Sequence, residues 1–403
     1  MRVVIVGNGI AGVTVARRVR ELDDGADVLI VTSEPFHFYF RPRLPEVIAG
    51  ELEIDDVLGF PTDWYESKRI DVRLSTTVAS VDPSSHIITL ESGETIEYDR
   101  LVIASGAHAF VPPIPGVGLN GVFSVRSAGD AFAVREWVKG KERAVVIGGG
   151  LLGLETARGL RHAGLDVTVL EFEDRLLPRQ LDDRGAAMLQ RAVEQLGLAV
   201  LTSAQTEKIE GDGVVSGVLL KDGRTIPAEA VVVSTGIRSA TQFLDDSGVE
   251  IERGVVVDEG MRTGIPDIYA VGDAASYQGM NWGIVPVALA QAEVAARYIT
   301  GDETKPYVPV PPSNTLKITG VDVFSAGVSA CETEGCNEYV SEDEQSGRYR
   351  KVVLQDGRLV GAIVVGSRVG VRELGAMIER RQDVGSLGEE LVSETFDFKG
   401  ALR

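Results

Sequence analysis

One pattern occurs twice in this chain, and it restricts the fold more than any other feature. The first copy is Val3-Val4-Ile5-Val6 followed by Gly7-Asn8-Gly9-Ile10-Ala11-Gly12. The second is Ala144-Val145-Val146-Ile147 followed by Gly148-Gly149-Gly150-Leu151-Leu152-Gly153. Each apolar run suits a strand buried on both faces of a parallel sheet. Each glycine set opens a helical stretch, over 13–22 and 154–163. Each helix leads to a second apolar strand that ends in an acid, Val28-Leu29-Ile30-Val31 to Glu34 and Val167-Thr168-Val169-Leu170 to Glu171. Strand, glycine turn, helix, strand and acid in that order form the complete unit of a dinucleotide site.

The chemistry asks for those residue types. The first glycine (Gly7, Gly148) permits the tight turn. The second (Gly9, Gly150) lets backbone approach a pyrophosphate, and the third (Gly12, Gly153) lets the helix pack close to the strand. The helix N-terminus then faces the phosphates with its unpaired N–H groups and its partial positive charge, and the residues between the glycines, Ile10 and Ala11 or Leu151 and Leu152, are further cofactor-binding candidates. Glu34 and Glu171 are positioned to accept hydrogen bonds from a ribose diol. Two merely structural turns remain the plain alternative.

The rest of the chain reads more coarsely. Residues 72–90 alternate as short strands with turns at Asp82-Pro83 and Ser92-Gly93. Leu101-Val102-Ile103 runs into the small-residue turn Ala104-Ser105-Gly106, and Val231-Val232-Val233-Ser234-Thr235-Gly236 nearly repeats it. A helix is expected over 287–299 and another over 371–380. Pro-rich links at 111–116 and 306–312 mark boundaries, and alternating runs beyond the second link read as antiparallel strands. The expectation is an α/β chain with two Rossmann-like dinucleotide-binding domains, the second inserted in the first, plus a C-terminal α+β domain. The segments are 1–112 and 237–309 for the first nucleotide domain, 113–236 for the second and 310–403 for the last.

Composition excludes other classes. Acidic residues outnumber basic ones 60 to 40 over 403 residues, a formal charge of -20. Such a surface repels phosphate backbones and anionic lipid, so neither nucleic acid nor membrane is expected as a partner. Only two cysteines occur, at 331 and 336. A cysteine-ligated iron–sulfur cluster within the chain needs more, and a disulfide scaffold more still. The first strand starts almost at residue 1, which leaves no space for a signal peptide, and the apolar runs are too short to span a bilayer. A cytoplasmic protein with no metal site is expected.

The ordered set Gly7 to Gly12, Ala104-Ser105-Gly106, Gly148 to Gly153, Ser234-Thr235-Gly236 and Asp267-Ile268-Tyr269-Ala270-Val271-Gly272-Asp273 resembles the two-dinucleotide flavoprotein reductases of the pyridine nucleotide–disulfide oxidoreductase superfamily. Ser105 stands where the family usually has Thr. The likeness covers essentially the whole chain and is weakest after residue 340. It implies FAD on the first unit and NAD(H) on the inserted one. Glu34 then holds the adenosine ribose of FAD, backbone at Val78 the adenine, and Asp273 the ribityl or pyrophosphate region, with Gly272 allowing close approach; Gly236 is a further cofactor-binding candidate. The helix beginning near Pro286 aims its N-terminus at the flavin N1–O2 edge, with Val285 a further cofactor-binding candidate. Plain readings of Asp273 as a helix cap and Pro286 as a helix start stay open.

The stretch Phe38-Tyr39-Phe40-Arg41-Pro42-Arg43-Leu44 resembles rubredoxin reductases and the N-terminal part of nitrite reductase large subunits, as does Thr315 to Val323. The resemblance implies Arg41 and Pro42 beside FAD. It also implies a candidate catalytic set of Glu155 near the nicotinamide with Arg43 and Lys317 near the flavin. Glu155 as a dipole-favoured helix residue and Arg43 as a solvated cation are the alternatives. Glu171 repels a 2′-phosphate and favours NADH over NADPH. Arg175, four residues on, is the counter-argument, with an ion-paired or solvated role the commoner fate.

What is missing decides the subclass. Residues 35–60 contain no Cys, and all four His, at 37, 86, 108 and 162, precede the last domain. Thiol–disulfide exchange lacks both nucleophile and base. Cys331 and Cys336 are expected to be two idle thiols, with surface oxidation the alternative. The implied activity is hydride transfer between nicotinamide C4 and flavin N5. Single electrons then pass to a one-electron carrier such as a rubredoxin-like or iron–sulfur protein, or to a partner subunit of a larger redox complex. A flavoprotein binding NADH as signal or scaffold is the alternative. The chain is expected as a monomer, a homodimer or a subunit of a hetero-oligomer.

Overall fold

The computed structural model describes residues 1–311, 313–318 (backbone only for 314–318), 321–331 and 333–401. Two compact units emerge. The first comprises residues 1–41, 53–108 and 237–310, and the second residues 42–52, 109–236 and 311–403.

In the first unit five parallel strands form a sheet in the order Ile268–Ala270, Arg100–Ile103, Arg2–Val6, Asp27–Val31, Ile70–Arg73. Its central strand is almost wholly apolar because both faces are covered: Val3, Val4 and Ile5 are fully buried. Each such side chain contributes about 1.5–3 kcal/mol to burial. Helices Ile10–Leu22 and Val285–Ile299 pack together, and Arg18 ties them through Glu293 at 2.6 Å. A three-stranded antiparallel sheet, Val78–Asp82, Ile87–Leu90 and Thr95–Glu97, is laid down by the turns read at Asp82-Pro83 and Ser92-Gly93.

The second unit repeats the plan. Its parallel sheet runs in the order Leu198–Leu201, Asp166–Leu170, Arg143–Ile147, Ala230–Val233, Val122–Phe123. Helices Ala128–Trp137, Leu151–His162 and Asp183–Gln195 belong to it. The first and third of these went unread in the sequence. Their signals were local caps: Ser127 and Asp130 form a capping box, and Asp182 caps Gly185 N–H at 3.0 Å. The unit also holds the C-terminal antiparallel sheet, in the order Ser313–Ile318, Val321–Gly327, Arg358–Val365, Arg348–Gln355, Cys336–Asp343, with helix Val371–Glu379. Tyr349 donates to Asp182 Oδ2 at 2.6 Å and Lys351 to the same oxygen at 3.1 Å, anchoring this sheet to the start of helix Asp183–Gln195.

Both glycine-turn helices begin three residues earlier than expected, at Ile10 and Leu151, because Gly9 and Gly150 act as extended N-caps. One expectation is overturned. Cys331 and Cys336 are not idle thiols but form a disulfide with Cα atoms 5.6 Å apart. The reversal at Gly335 and the start of strand Cys336–Asp343 bring the two together, a juxtaposition that residue count alone does not reveal.

Candidate nucleotide-binding sites

The two glycine turns are superposable in their local chemistry. Gly7 has φ +107°, and a Cβ there would lie 2.2 Å from the Ala104 carbonyl oxygen. Gly148 has φ +118°, and its Cβ would lie 2.2 Å from the Ser234 carbonyl oxygen. A Cβ on Gly12 or Gly153 would sit 2.0 Å from the carbonyl oxygen of Gly7 or Gly148. The small-residue strand ends at 104–106 and 234–236 are therefore the walls against which each turn is pressed.

In the first unit this brings most of the expected residues together. Neither Gly9 nor any first-turn side chain caps helix Ile10–Leu22, and no acid lies in its first turn. Arg41 fills that region: a Cβ on Gly9 would lie 3.6 Å from Arg41 Nη1. The same guanidinium pairs with Glu34 Oε1 and lies 5.1 Å from the Tyr39 ring centroid, while Tyr39 donates to Glu34 Oε2. The acid read from the end of the second strand is thus already held by a cation and a phenol. Ser75 N–H donates to the Glu34 carbonyl at 3.0 Å, so the strand that opens at Val78 starts beside it. Ser105 donates its hydroxyl to the Ala240 carbonyl at 2.7 Å. A Cβ on Gly272 would be 2.9 Å from Ala11 Cβ, which puts Asp273 beside the glycine turn. Pro286 lies in the first turn of helix Val285–Ile299, which has no side-chain cap.

Sequence reasoning missed the support. Ser239 and Asn281 donate to the Asp273 carbonyl at 2.7 and 2.8 Å, and Gln291 accepts from Gly272 N–H at 2.8 Å. Asn8, between the first two glycines, accepts from Tyr65 O–H at 3.3 Å. Its amide nitrogen is buried with no partner among the described residues. An orphaned donor and an uncapped helix start beside a glycine turn fit a nucleotide pyrophosphate.

In the second unit Glu171 is buried. Its Oε2 accepts from Gly149 N–H at 2.7 Å and its Oε1 from Glu173 N–H at 2.8 Å. Gly150 opens on free space, for a Cβ there would meet nothing within 4 Å, and helix Leu151–His162 has no side-chain cap and no acid in its first turn. Gly236, with φ +121°, faces space as well. An adenosine ribose and pyrophosphate fit this open, donor-lined end.

Pro42 and Arg43 fall in the second unit, where Arg43 Nε pairs with Glu46 at 2.6 Å. The following helix Leu44–Ile48 packs so closely that a Cβ on Gly159 would be 2.5 Å from the Pro45 carbonyl oxygen. Glu155 lies on the same helix as Gly159. Burial, and secondarily the neighbouring Glu46 carboxylate, push its carboxyl up to about 7, with Arg158 opposing. Arg158 itself is engaged by Glu51 at 2.7 Å. Lys317 belongs to strand Ser313–Ile318, paired in register with Asp322, and its side chain lies outside the described residues. Arg175 has the ion-paired fate: Asp174 holds its Nη1 at 2.9 Å and Asp183 at 3.3 Å.

Residues 1–296 match the family described as pyridine nucleotide-disulphide oxidoreductase. The chain belongs to that family. Residues 312–382 match the rubredoxin NAD+ reductase C-terminal domain. A nitrite reductase [NAD(P)H] of Bacillus subtilis is 38% identical over 95% of this chain and 48% of its own length. The chain therefore spans about half of that relative. An NADH-rubredoxin oxidoreductase of Clostridium acetobutylicum is 32% identical over 91% of both chains. The solved putidaredoxin reductase–putidaredoxin complex superposes with a TM-score of 0.89 at 26% identity, covering 100% of this chain and 98% of that one. Membership names the cofactors as FAD and NAD(H), in an oxidoreductase fold of two Rossmann-like domains with an added C-terminal domain. Among the described residues no helix is long and apolar enough to cross a membrane.

Proposed function

We propose that this chain is a cytoplasmic NADH-dependent flavoprotein reductase that hands electrons to a rubredoxin-like or iron–sulfur carrier, or to a partner redox subunit. The observation that carries this reading is the pair of matching, uncapped glycine-turn helix starts in a chain with no cysteine in residues 35–60. Relatives named for rubredoxin and ferredoxin reduction support the acceptor class. Bound FAD would supply a hydride acceptor for nicotinamide C4 and a store from which electrons could leave singly.

The chain's own residues bind and orient. The first-turn amides of Ile10, Ala11 and Gly12 take the FAD pyrophosphate, with Arg41 and the orphaned Asn8 amide as further donors. Arg41 then exchanges part of its bond with Glu34, which turns to the adenosine ribose. Backbone at Val78 lies along the adenine. Asp273, steadied by Ser239 and Asn281, takes the ribityl region, and the helix start at Val285 and Pro286 faces the flavin N1–O2 edge with its positive dipole end.

On the nicotinamide side, Leu151, Leu152 and Gly153 offer amides to the pyrophosphate and Glu171 takes the ribose. Glu155 holds a proton at its carboxyl below a pH of about 7 and so presents no full negative charge to the nicotinamide there. Arg43 and Lys317 remain the basic candidates for the redox centre, both belonging to the second unit. The domain limits proposed with this assignment are 1–112 with 237–309, 113–236 and 310–403, although residues 42–52 group with the second compact unit.

The test is anaerobic mixing of FAD-loaded protein with NADH, followed by addition of rubredoxin or a ferredoxin. NADH should bleach the flavin band, and the carrier should restore it within turnover time. A flavin that NADH does not bleach would sink the assignment. Bleaching without discharge to any carrier that co-purifies from native extract would remove the acceptor class.

A further inference from the structure

The loop after Glu171 is fastened to the glycine turn at both ends. Glu173 N–H donates to Glu171 Oε1 at 2.8 Å, and Leu177 N–H donates to the Gly149 carbonyl at 3.3 Å. Leu176 packs so tightly there that a Cβ on Gly149 would be 2.6 Å from Leu176 Cδ2. Arg175 stands on this fastened stretch and is the one cation in residues 171–177. Arg179 lies beyond it.

A cation at this point is what a 2′-phosphate on the adenosine ribose would seek. Arg175 is engaged at one of its nitrogens: its Nη1 is shared by Asp174 and Asp183, whereas its buried Nε has no hydrogen-bond partner among the described residues. The two acids are 72% and 89% exposed, so their positions owe little to packing. They also add two negative charges around Arg175.

We propose that Asp174 and Asp183 are specificity-determining residues, which occupy Arg175 and so share with Glu171 the exclusion of a 2′-phosphorylated nucleotide. The inference rests on the assignment of this turn to NADH. Glu171 is the part of the device that touches the ribose. The acid pair acts through Arg175, and its effect should vanish when Arg175 is absent.

The experiment measures binding of ADP-ribose and of its 2′-phosphorylated analogue to the FAD-loaded protein by calorimetry. Four forms are compared: wild type, D174N/D183N, R175A, and the triple variant. Wild type should prefer ADP-ribose. D174N/D183N should narrow that preference by about 3- to 10-fold, through tighter binding of the phosphorylated ligand at low salt. R175A alone should change the ratio less than about 2-fold, and the triple variant should lose the gain. A D174S/D183S pair repeats the test with a different side chain at the helix start, where Asp182 keeps the cap.

An unchanged ratio in D174N/D183N, or a gain that persists without Arg175, overturns the proposal while leaving the NADH assignment standing. Failure of wild type to bind ADP-ribose at all would overturn the assignment itself.

Discussion

Gly149 donates its backbone N–H to Glu171 over 2.7 Å, so the acid at the end of one strand buttresses the glycine turn at the end of its neighbour. The carboxylate spends one lone pair of each oxygen on backbone and keeps the others. It is a structural clamp and, in the proposed NADH site, the ribose acceptor as well, so its removal should touch both.

Glu171→Ala should raise the KM for NADH by roughly 10- to 150-fold and narrow the preference over NADPH, as loss of a charged hydrogen-bond acceptor near 1.5–3 kcal/mol implies. Glu171→Gln keeps one acceptor for the Gly149 amide and should retain more thermal stability than the alanine form. Steady-state kinetics with both nucleotides and a melting curve check this pair. An unchanged KM for both nucleotides would remove the ribose role.

Gly12→Ala and Gly153→Ala test the two turns separately. Each new Cβ would meet a backbone carbonyl oxygen at 2.0 Å, and backbone cannot swing aside as a long side chain can. Gly12→Ala should give protein depleted in FAD. Gly153→Ala should keep its FAD but bind NADH poorly. Flavin content and NADH titration separate the two outcomes. Each substitution should also cost roughly 1–3 kcal/mol of stability, in the range of overpacked cores.

Glu155 should make stability depend on pH. Its folded pKa is raised, so its contribution is fully present below the usual carboxylate value of 4.5 and is lost as pH rises through about 7. Between those values the unfolding free energy should fall by about 1–3 kcal/mol. Glu155→Gln should flatten that segment of the profile. Chemical denaturation at several pH values measures the slope, and an identical slope in the variant would reassign it to other groups.

The disulfide Cys331–Cys336 closes a loop with a sequence separation of only 5. Chain entropy alone credits such a loop with about 2 kcal/mol. Cys331→Ser with Cys336→Ser should therefore lower the melting temperature modestly and leave NADH-to-acceptor turnover intact. Lost turnover in a folded double variant would give the pair a role in electron transfer.

The two nucleotide units were legible in the chain because their information is local. Glycine at fixed offsets, apolar runs of strand length and an acid at the next strand end are consequences of one short turn and need no distant partner. The near repeat at Ala104-Ser105-Gly106 and Ser234-Thr235-Gly236 was legible for the same reason. The helices Ala128–Trp137 and Asp183–Gln195 were written only in their caps, which periodicity does not weigh.

Tertiary structure decided what depends on residues far apart in sequence. It set Arg41 on Glu34, joined Asn8 to Tyr65, and braced Asp273 with Ser239 and Asn281. It folded residues 42–52 onto helix Leu151–His162 and so placed Glu46 where its charge raises Glu155. It tied Arg175 to Asp183 and closed Cys331 on Cys336. The sequence by itself determined that two dinucleotides could be held. Which donors stay free for them, and which are already spent, was decided by burial and long-range pairing, since a charge's partners and its dielectric surroundings exist only once the chain is folded.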